Sequence, residues 1–274
     1  MTRLARGCGT FTWSLFWISG LGIPLARGQP VVDIPASAAV GPVQTGTGTG
    51  LRGEFFFAGH PTMPFATNAN IVPSLAVAQT FMDNNQPNSR FQATLFDYPG
   101  TGAPAATDAT PPGTFLNTDG SSLTPAYPNP MYSSIYRFRG LINVTMNESI
   151  PGQTGIAIQF RTNSDDGSGL SIGGIQVVNN DGQHAAQDRD GIARFTAAGL
   201  YPIELVFFND EYNNSTGGAN FTVRSTLGTN DPSNLGILPS ASMFVVAVPE
   251  PGTLLLCGVG LVGVTATRRL RRNA

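Results

Sequence analysis

The sequence contains no lysine, and only two cysteines and two histidines occur among its 274 residues. Cys8 and Cys257 both lie in the terminal segments, so the part of the chain between them has neither a disulfide nor a thiolate nucleophile. The His-Glu-x-x-His and phosphate-loop motifs are missing as well. The sequence therefore offers few residues for covalent catalysis or zinc binding, and we predict that the protein is not an enzyme.

Acidic charge dominates the middle of the chain, although the formal net charge of the whole is only −2. Residues 29–267 carry eight arginines against 17 acidic residues, a net charge of −9. The other seven arginines lie at the two ends, at Arg3, Arg6, Arg27, Arg268, Arg269, Arg271 and Arg272. An acidic body repels phosphate backbones, which argues against nucleic acid as a partner.

The first 28 residues have the pattern of a secretory signal peptide. Two arginines precede an apolar run from Phe11 to Leu25, and small residues follow it before Gln29, the expected mature start. The alternative is an amino-terminal membrane helix, but the apolar run is short and is interrupted by glycine and proline. We therefore predict export.

The opposite end combines three unlike features in order. Pro249, Glu250 and Pro251 precede an uncharged segment, 252–267, which precedes four arginines. Sixteen helical residues span about 24 Å, slightly less than a bilayer core of about 30 Å. The terminal arginines favour the cytoplasmic face and leave the acidic body outside.

Between the ends, apolar and polar residues alternate with period two, as in half-buried strands. Short alternating segments are separated by Gly, Asn and Asp, without intervening helical patterns, which predicts an all-β fold, an antiparallel sandwich or barrel, over residues 51–227. One short helix is predicted at Ser74–Asn84, and the proline-rich stretch from Tyr98 to Pro130 is expected to be a surface insertion. Residues 29–50 and 228–248 contain proline and low-complexity sequence and are predicted to be a flexible lead-in and a linker.

The polar motif with the clearest functional interpretation is Ser164-Asp165-Asp166-Gly167, which lies between two predicted strands. Adjacent carboxylates at a turn repel each other unless a cation or several backbone N–H groups lie between them, and hard oxygen ligands suit Ca²⁺. The alternative is an ordinary Asp-Gly hairpin turn. His184 is interpreted as a structural residue, and Asp188-Arg189-Asp190-Gly191 as a solvated, charged loop.

Two resemblances add to this interpretation. The carboxyl-terminal 26 residues resemble the PEP-CTERM sorting signal, which implies recognition and processing by an exosortase, with Pro249, Glu250, Pro251 and the arginines Arg268, Arg269, Arg271 and Arg272 as the signal. Residues 50–227 resemble a PA14 domain, a β-sandwich. The segments that carry this second resemblance are Gly50–Phe55, Phe138–Gly140, Ser164–Ser168, Val178–His184, Ala198–Ile203 and Gly217–Ala219.

Carbohydrate-binding PA14 domains hold Ca²⁺ with an Asp-Asp pair joined by a cis peptide, a role that the resemblance gives to Asp165 and Asp166. Further oxygen ligands are expected from Asp210, Asn213, Asn214 and Asn220, with Glu211 in the same loop. The expected function is a non-catalytic protein of the cell envelope or extracellular matrix, anchored by segment 252–267 and binding a glycan or exopolysaccharide. The alternatives are a purely structural matrix protein and a polysaccharide hydrolase that uses a pair of carboxyl groups.

Overall fold

Short strands dominate a computed structural model of the chain, which describes residues 29–59, 72–100, 103–210 and 218–245. The strands of the described residues are β1 (Val31–Ile34), β2 (Leu51–Gly59), β3 (Ser89–Ala93), β4 (Asp97–Tyr98), β5 (Ala106–Thr107), β6 (Ser133–Val144), β7 (Ile156–Asp165), β8 (Ser168–Ile172), β9 (Ile175–Asn180), β10 (Gln187–Phe195), β11 (Gly199–Asn209), β12 (Gly218–Ser225), β13 (Gly236–Ile237) and β14 (Met243–Phe244). The helices are α1 (Leu75–Asn84) and α2 (Pro112–Phe115), with three short 3₁₀ turns at Ala36–Ala38, Asn117–Ser122 and Ser240–Ser242.

The strands form two sheets. The first has the order β1-β10-β7-β12-β13, with β4 and β5 also paired to β12. The second has the order β3-β2-β6-β11-β8-β9, with β14 paired to β6. The β1–β10 pair is parallel, and the other strand pairs of the described residues are antiparallel. The predicted antiparallel β-sandwich is confirmed.

Aromatic side chains join the two sheets. Phe207 of β11 and Phe221 of β12 stack with ring centroids 5.2 Å apart, and Phe138 of β6 stacks on Phe221 at 5.5 Å. All three rings are fully buried. Because β12 belongs to the first sheet and β6 and β11 to the second, this stack forms the centre of the core.

The predicted helix is confirmed as α1, with Ser74 as its N-cap. The Ser74 hydroxyl accepts a hydrogen bond from the Val77 N–H at 3.3 Å, as expected of a serine cap. Ala78 and Met82 point inward and cover part of the outer face of the second sheet. The sheet residues beneath them are Phe56, Ile135, Val206 and Phe208.

The described parts of the predicted lead-in, 29–50, and of the predicted linker, 228–248, contain paired strands. Residues Val31–Ile34 pair with β10, and Ile34 is fully buried in the core. At the other end, β14 pairs with β6, and Met243 is fully buried. Proline and glycine around these short apolar runs mask their strand character, so the sandwich extends beyond residues 51–227 on both sides.

The stretch from Tyr98 to Pro130 is not a surface insertion. Phe115 and Leu116, at the end of α2, are fully buried in the core between the sheets. The abundance of proline in this stretch suggests exposure, whereas its larger aliphatic and phenyl side chains, Phe115, Leu116 and Leu123, are buried. Segment 188–191 is likewise part of β10 rather than a loop, and Arg161 of β7 pairs with Asp190 there at 2.6 Å.

Among the described residues, no helix is long and apolar enough to cross a membrane. The predicted signal peptide, the sorting residues Pro249, Glu250 and Pro251, the segment 252–267 and the terminal arginines all lie outside the described residues.

Candidate metal and glycan site

The Asp165–Asp166 pair lies at the turn between β7 and β8, and the peptide bond between the two residues is cis. Below the turn, the hydroxyls of Ser164 and Ser168 are 2.8 Å apart, and both residues are fully buried. A Cβ atom on Gly167 would overlap with the ring of Phe208. Glycine is therefore required directly after the two aspartates, and packing fixes the position of the turn.

Asp166 holds two neighbouring segments in place. Its carboxylate accepts hydrogen bonds from the backbone N–H of His184 at 3.1 Å and from that of Asp210 at 2.8 Å. The residue is only 8% exposed. Burial raises the pKa of Asp166 to about 6; the two N–H groups oppose this shift, and the charges of Asp165 and Asp210 add to it. Excess negative charge at the turn thus disfavours the ionised form of Asp166.

Asp210, at the end of β11, is buried and fully engaged by neighbours. Its carboxylate accepts from the Ser133 hydroxyl at 2.8 Å and from the Gln183 side-chain amide at 3.1 Å. The same amide donates to the Asp210 backbone carbonyl at 3.0 Å. The backbone N–H of Asp210 therefore lies next to the Asp166 carboxylate, while the Asp210 carboxylate accepts from Ser133 and Gln183.

Asn220 lies directly across from Asp165 in the β12–β7 register. Its side-chain amide nitrogen donates to Asn163 at 2.6 Å, whereas its Oδ1 atom is buried and accepts no hydrogen bond from the described residues. A buried carbonyl oxygen without a partner costs about 1–3 kcal/mol, and a cation beside it would remove that cost. The donor set of Asp165, Asp166 and Asn220 consists of hard oxygens, which fits Ca²⁺.

Other ligands are needed to complete such a site. Within the described ranges, no group of three or more His, Cys, Asp or Glu side chains is arranged to hold a metal ion. Asn213 and Asn214, and Glu211 beside them, lie outside the described residues. Any cation at the turn would therefore depend on amide, backbone or water oxygens in addition to the two aspartates.

Sequence reasoning missed two residues at this edge of the sandwich. Asp108 and Asn209 are both fully buried, and the Asn209 amide donates to Asp108 at 3.0 Å and to the Tyr132 carbonyl at 2.8 Å. Asp108 falls in the proline-rich stretch that was expected to be exposed, so the sequence carried no signal for it. His184 contacts two backbone carbonyls with its ring nitrogens, at 3.1 and 3.2 Å, in agreement with a structural role.

Comparisons with known proteins agree with this architecture. Residues 150–234 match the PA14 domain family, a range that includes the aspartate pair, Asp210 and Asn220, and residues 247–272 match the PEP-CTERM protein-sorting motif. No curated protein matches the chain in sequence.

The fold is shared with solved PA14 domains. The PA14 sugar-binding domain of an RTX adhesin has 21% identity and a TM-score of 0.55, covering 72% of this chain and 99% of its own. The PA14 domain of the MpAFP antifreeze protein has 18% identity and the same TM-score, covering 75% of this chain and 96% of its own. The chain thus has a PA14-like β-sandwich and a carboxyl-terminal segment that matches the PEP-CTERM sorting motif.

Proposed function

We propose that this chain is an exported, non-catalytic protein of the cell envelope or extracellular matrix that binds a glycan at the Asp165–Asp166 turn with the help of Ca²⁺. The observation that carries the proposal is the buried Oδ1 atom of Asn220, which has no hydrogen-bond partner among the described residues and belongs to the residue directly opposite Asp165 in two paired strands. Asp165, Asp166 and Asn220 would hold the ion, with Asn213 and Asn214 as further candidates. A bound Ca²⁺ takes six to eight oxygen ligands, and sugar hydroxyls fill the positions that the protein leaves open.

Each residue has a distinct part in this proposal. Asp166 uses both carboxylate oxygens to fix the segments around His184 and Asp210, so it orients the turn as well as contributing charge. Asp165 carries the second charge on the strand that faces Asn220. Gly218 lies next to Asp165, since a Cβ atom there would be 3.5 Å from the Asp165 carboxylate. The absence of a side chain at Gly218 leaves room beside that carboxylate.

Thermal unfolding of the purified protein in Ca²⁺ and in chelator tests the ion. Saturation to 100 times Kd stabilises a native state by about 2.7 kcal/mol, or about 5–11 °C in Tm for a domain of this size. Asp165→Asn should abolish this response, and Asn220→Ala should weaken it while leaving the Tm in chelator nearly unchanged. Asp231→Asn, which removes one exposed carboxylate elsewhere, should keep the full response. A wild-type Tm that is the same in Ca²⁺ and in chelator would rule the site out.

A glycan array with and without chelator tests the ligand. Binding that is lost in chelator and in Asp165→Asn supports the proposal. Absence of binding in either condition favours a purely structural matrix protein. Turnover of a labelled polysaccharide would instead indicate a hydrolase. The Asp166 and Asp210 carboxylates, which such an enzyme would need, already accept hydrogen bonds from backbone or side-chain donors.

Exosortase processing is the other half of the proposal. We expect the motif Pro249-Glu250-Pro251 to direct processing, and segment 252–267 with the terminal arginines to hold the tail in the membrane beforehand. Replacing the three motif residues with alanine should change the mature mass and the cellular distribution of the protein. An unchanged carboxyl terminus in this variant would contradict the sorting role.

A further inference from the structure

Half of the arginines in the acidic body lie together in one groove on the outer face of the second sheet. Eight arginines occur in residues 29–267, and four of them line a cavity of about 700 Å³ beside the carboxyl-terminal end of α1: Arg52, Arg90, Arg137 and Arg139. We call this cavity the arginine groove. Cavities of this size are typical of small-molecule sites.

Strand register brings these arginines together. Glu54 of β2 is directly opposite Arg90 of β3 on one side and Arg137 of β6 on the other. Arg52 is directly opposite Arg139. Like charges in opposed positions destabilise a sheet unless an anion lies near them.

Glu54 is the internal anion of the groove. Its side chain is 3% exposed and contacts Arg137 at 2.7 Å, Arg139 at 2.9 Å and, at longer range, Arg52 at 3.3 Å. Burial alone would raise the pKa of Glu54, but the Arg137 hydrogen bond and the surrounding guanidinium charges lower it. A single ionised carboxylate thus fixes the orientation of several guanidinium groups.

One carboxylate does not use all of the available donors. A guanidinium has five N–H groups, and Arg139 reaches Glu54 through Nη2 only. The side chains of Arg90 and Arg139 are 50% and 45% exposed, and both line the cavity. The hydrogen bond to Glu54 orients Arg139 before any ligand arrives, which lowers the entropic cost of binding an anion there.

Charge and shape narrow the class of ligand. The groove also contains Asp83 and Glu204, so four cations face three acidic groups in a body that is otherwise strongly acidic. Apolar surface completes the lining, at Met82, Pro87, Pro202 and Ile203. A planar carboxylate can accept two parallel hydrogen bonds from a guanidinium group. The C–H face of a sugar ring can pack against the apolar surface.

We propose that the arginine groove binds a carboxylate-bearing sugar of an acidic polysaccharide. This site is separate from the aspartate turn, because Glu204 and Asn209 lie five residues apart on β11, about 17 Å along the strand. It requires no metal ion, and it stands whether or not Ca²⁺ binds at Asp165. The protein would then hold an acidic polymer through one face of its second sheet.

Calorimetric titration of the full-length protein in chelator and low salt, with a galacturonic acid trimer as probe, tests this proposal. The methyl ester of the same trimer keeps the sugar rings and removes the charge. We expect the ester to bind at least about tenfold more weakly, since charge-assisted hydrogen bonds are lost. Arg90→Gln with Arg139→Gln should weaken trimer binding by a similar factor, and both residues are exposed enough for the fold to tolerate the change.

Arg189→Gln with Arg224→Gln is the matched control, because it removes the same charge from strands of the first sheet. This pair should change trimer affinity by less than about twofold. Asp83→Asn should tighten binding, since it removes an acidic group from the groove while Glu54 keeps its partners. A gain of affinity cannot result from misfolding.

Three outcomes would overturn the proposal. Equal affinity for the trimer and its ester would show that the carboxylate is not recognised. An equal loss in the groove pair and in the control pair would show that only overall charge matters. Binding to phosphatidylglycerol vesicles that depends on Arg90 and Arg139, without trimer binding, would assign the groove to lipid phosphate instead.

Discussion

Replacing Glu54 with glutamine removes the charge at the centre of the arginine groove and nearly preserves the shape of the side chain. Arg137, which is only 10% exposed, then loses its buried counter-ion, while the more exposed guanidinium groups of Arg52, Arg90 and Arg139 are partly compensated by solvent. Removing one partner of a buried ion pair costs about 3–5 kcal/mol. Because three of the four arginines reach water, we expect the lower end of that range.

Thermal unfolding followed by circular dichroism measures this effect. About 3 kcal/mol corresponds to a Tm lowered by about 6–12 °C in a domain of this size. The control is Asp33→Asn, which removes the partner of Arg194 in an ion pair whose side chains are 60% and 38% exposed. Exposed pairs contribute little to stability, so the Tm of this control should hardly change.

The pH dependence gives a second, independent readout. The folded-state pKa of Glu54 lies below the ordinary value of 4.5, so its stabilisation is complete above that value and disappears as pH falls through the folded-state pKa. The Tm difference between wild type and Glu54→Gln should therefore be large at pH 7 and shrink below pH 4.5. A difference that is absent at pH 7, or equally large in strong acid, would refute the assignment of Glu54 as the charged centre of the cluster.

Two further substitutions test how the fold is held. Asp119→Ala should lower the free energy of unfolding by about 3 kcal/mol. The buried carboxylate accepts hydrogen bonds from the Leu95 N–H at 2.9 Å and the Tyr98 hydroxyl at 2.7 Å, and both donors lose their partner in the variant. Chemical denaturation measures the loss, and an unchanged midpoint would contradict it. Gly191→Ala should lower Tm strongly, since its Cβ atom would overlap with a backbone carbonyl of β9. In the control Gly46→Ala, the new Cβ atom has no other atom within 4 Å, so Tm should be unchanged. Equal Tm values for the two variants would show that β9 and β10 move apart easily.

The strands and the turn motif were predictable because their signals are local. Period-two alternation in β6, β7 and β11 places one set of side chains in the core whatever the partner strand is. The aspartate pair was visible for the same reason, since the residues that form the turn are contiguous. Pairing partners are different: Asp108, Ser133 and Gln183 reach the same edge from distant parts of the chain. No local pattern marks such residues.

The terminal parts of the sandwich were missed for a related reason. Val31–Ile34 and Met243–Phe244 are too short to show a period, and each is stabilised only by a partner far away in sequence. Proline-rich surroundings made the expectation of flexibility stronger. In both cases, tertiary pairing outweighed local composition, as it does for strands more than for helices.

The arginine groove follows from the core rather than from any charge pattern in the sequence. Phe55 and Phe138 are buried between the sheets, so Glu54 and Arg137 must point to the opposite face. A slip of β2 by one residue would move Glu54 into the core between the sheets and Phe55 to the outer face, which the apolar core prevents. The same register then sets Glu54 between Arg90 and Arg137. Apolar packing thus decides which charges meet, and sequence alone reveals that these arginines face outward but not that they face each other.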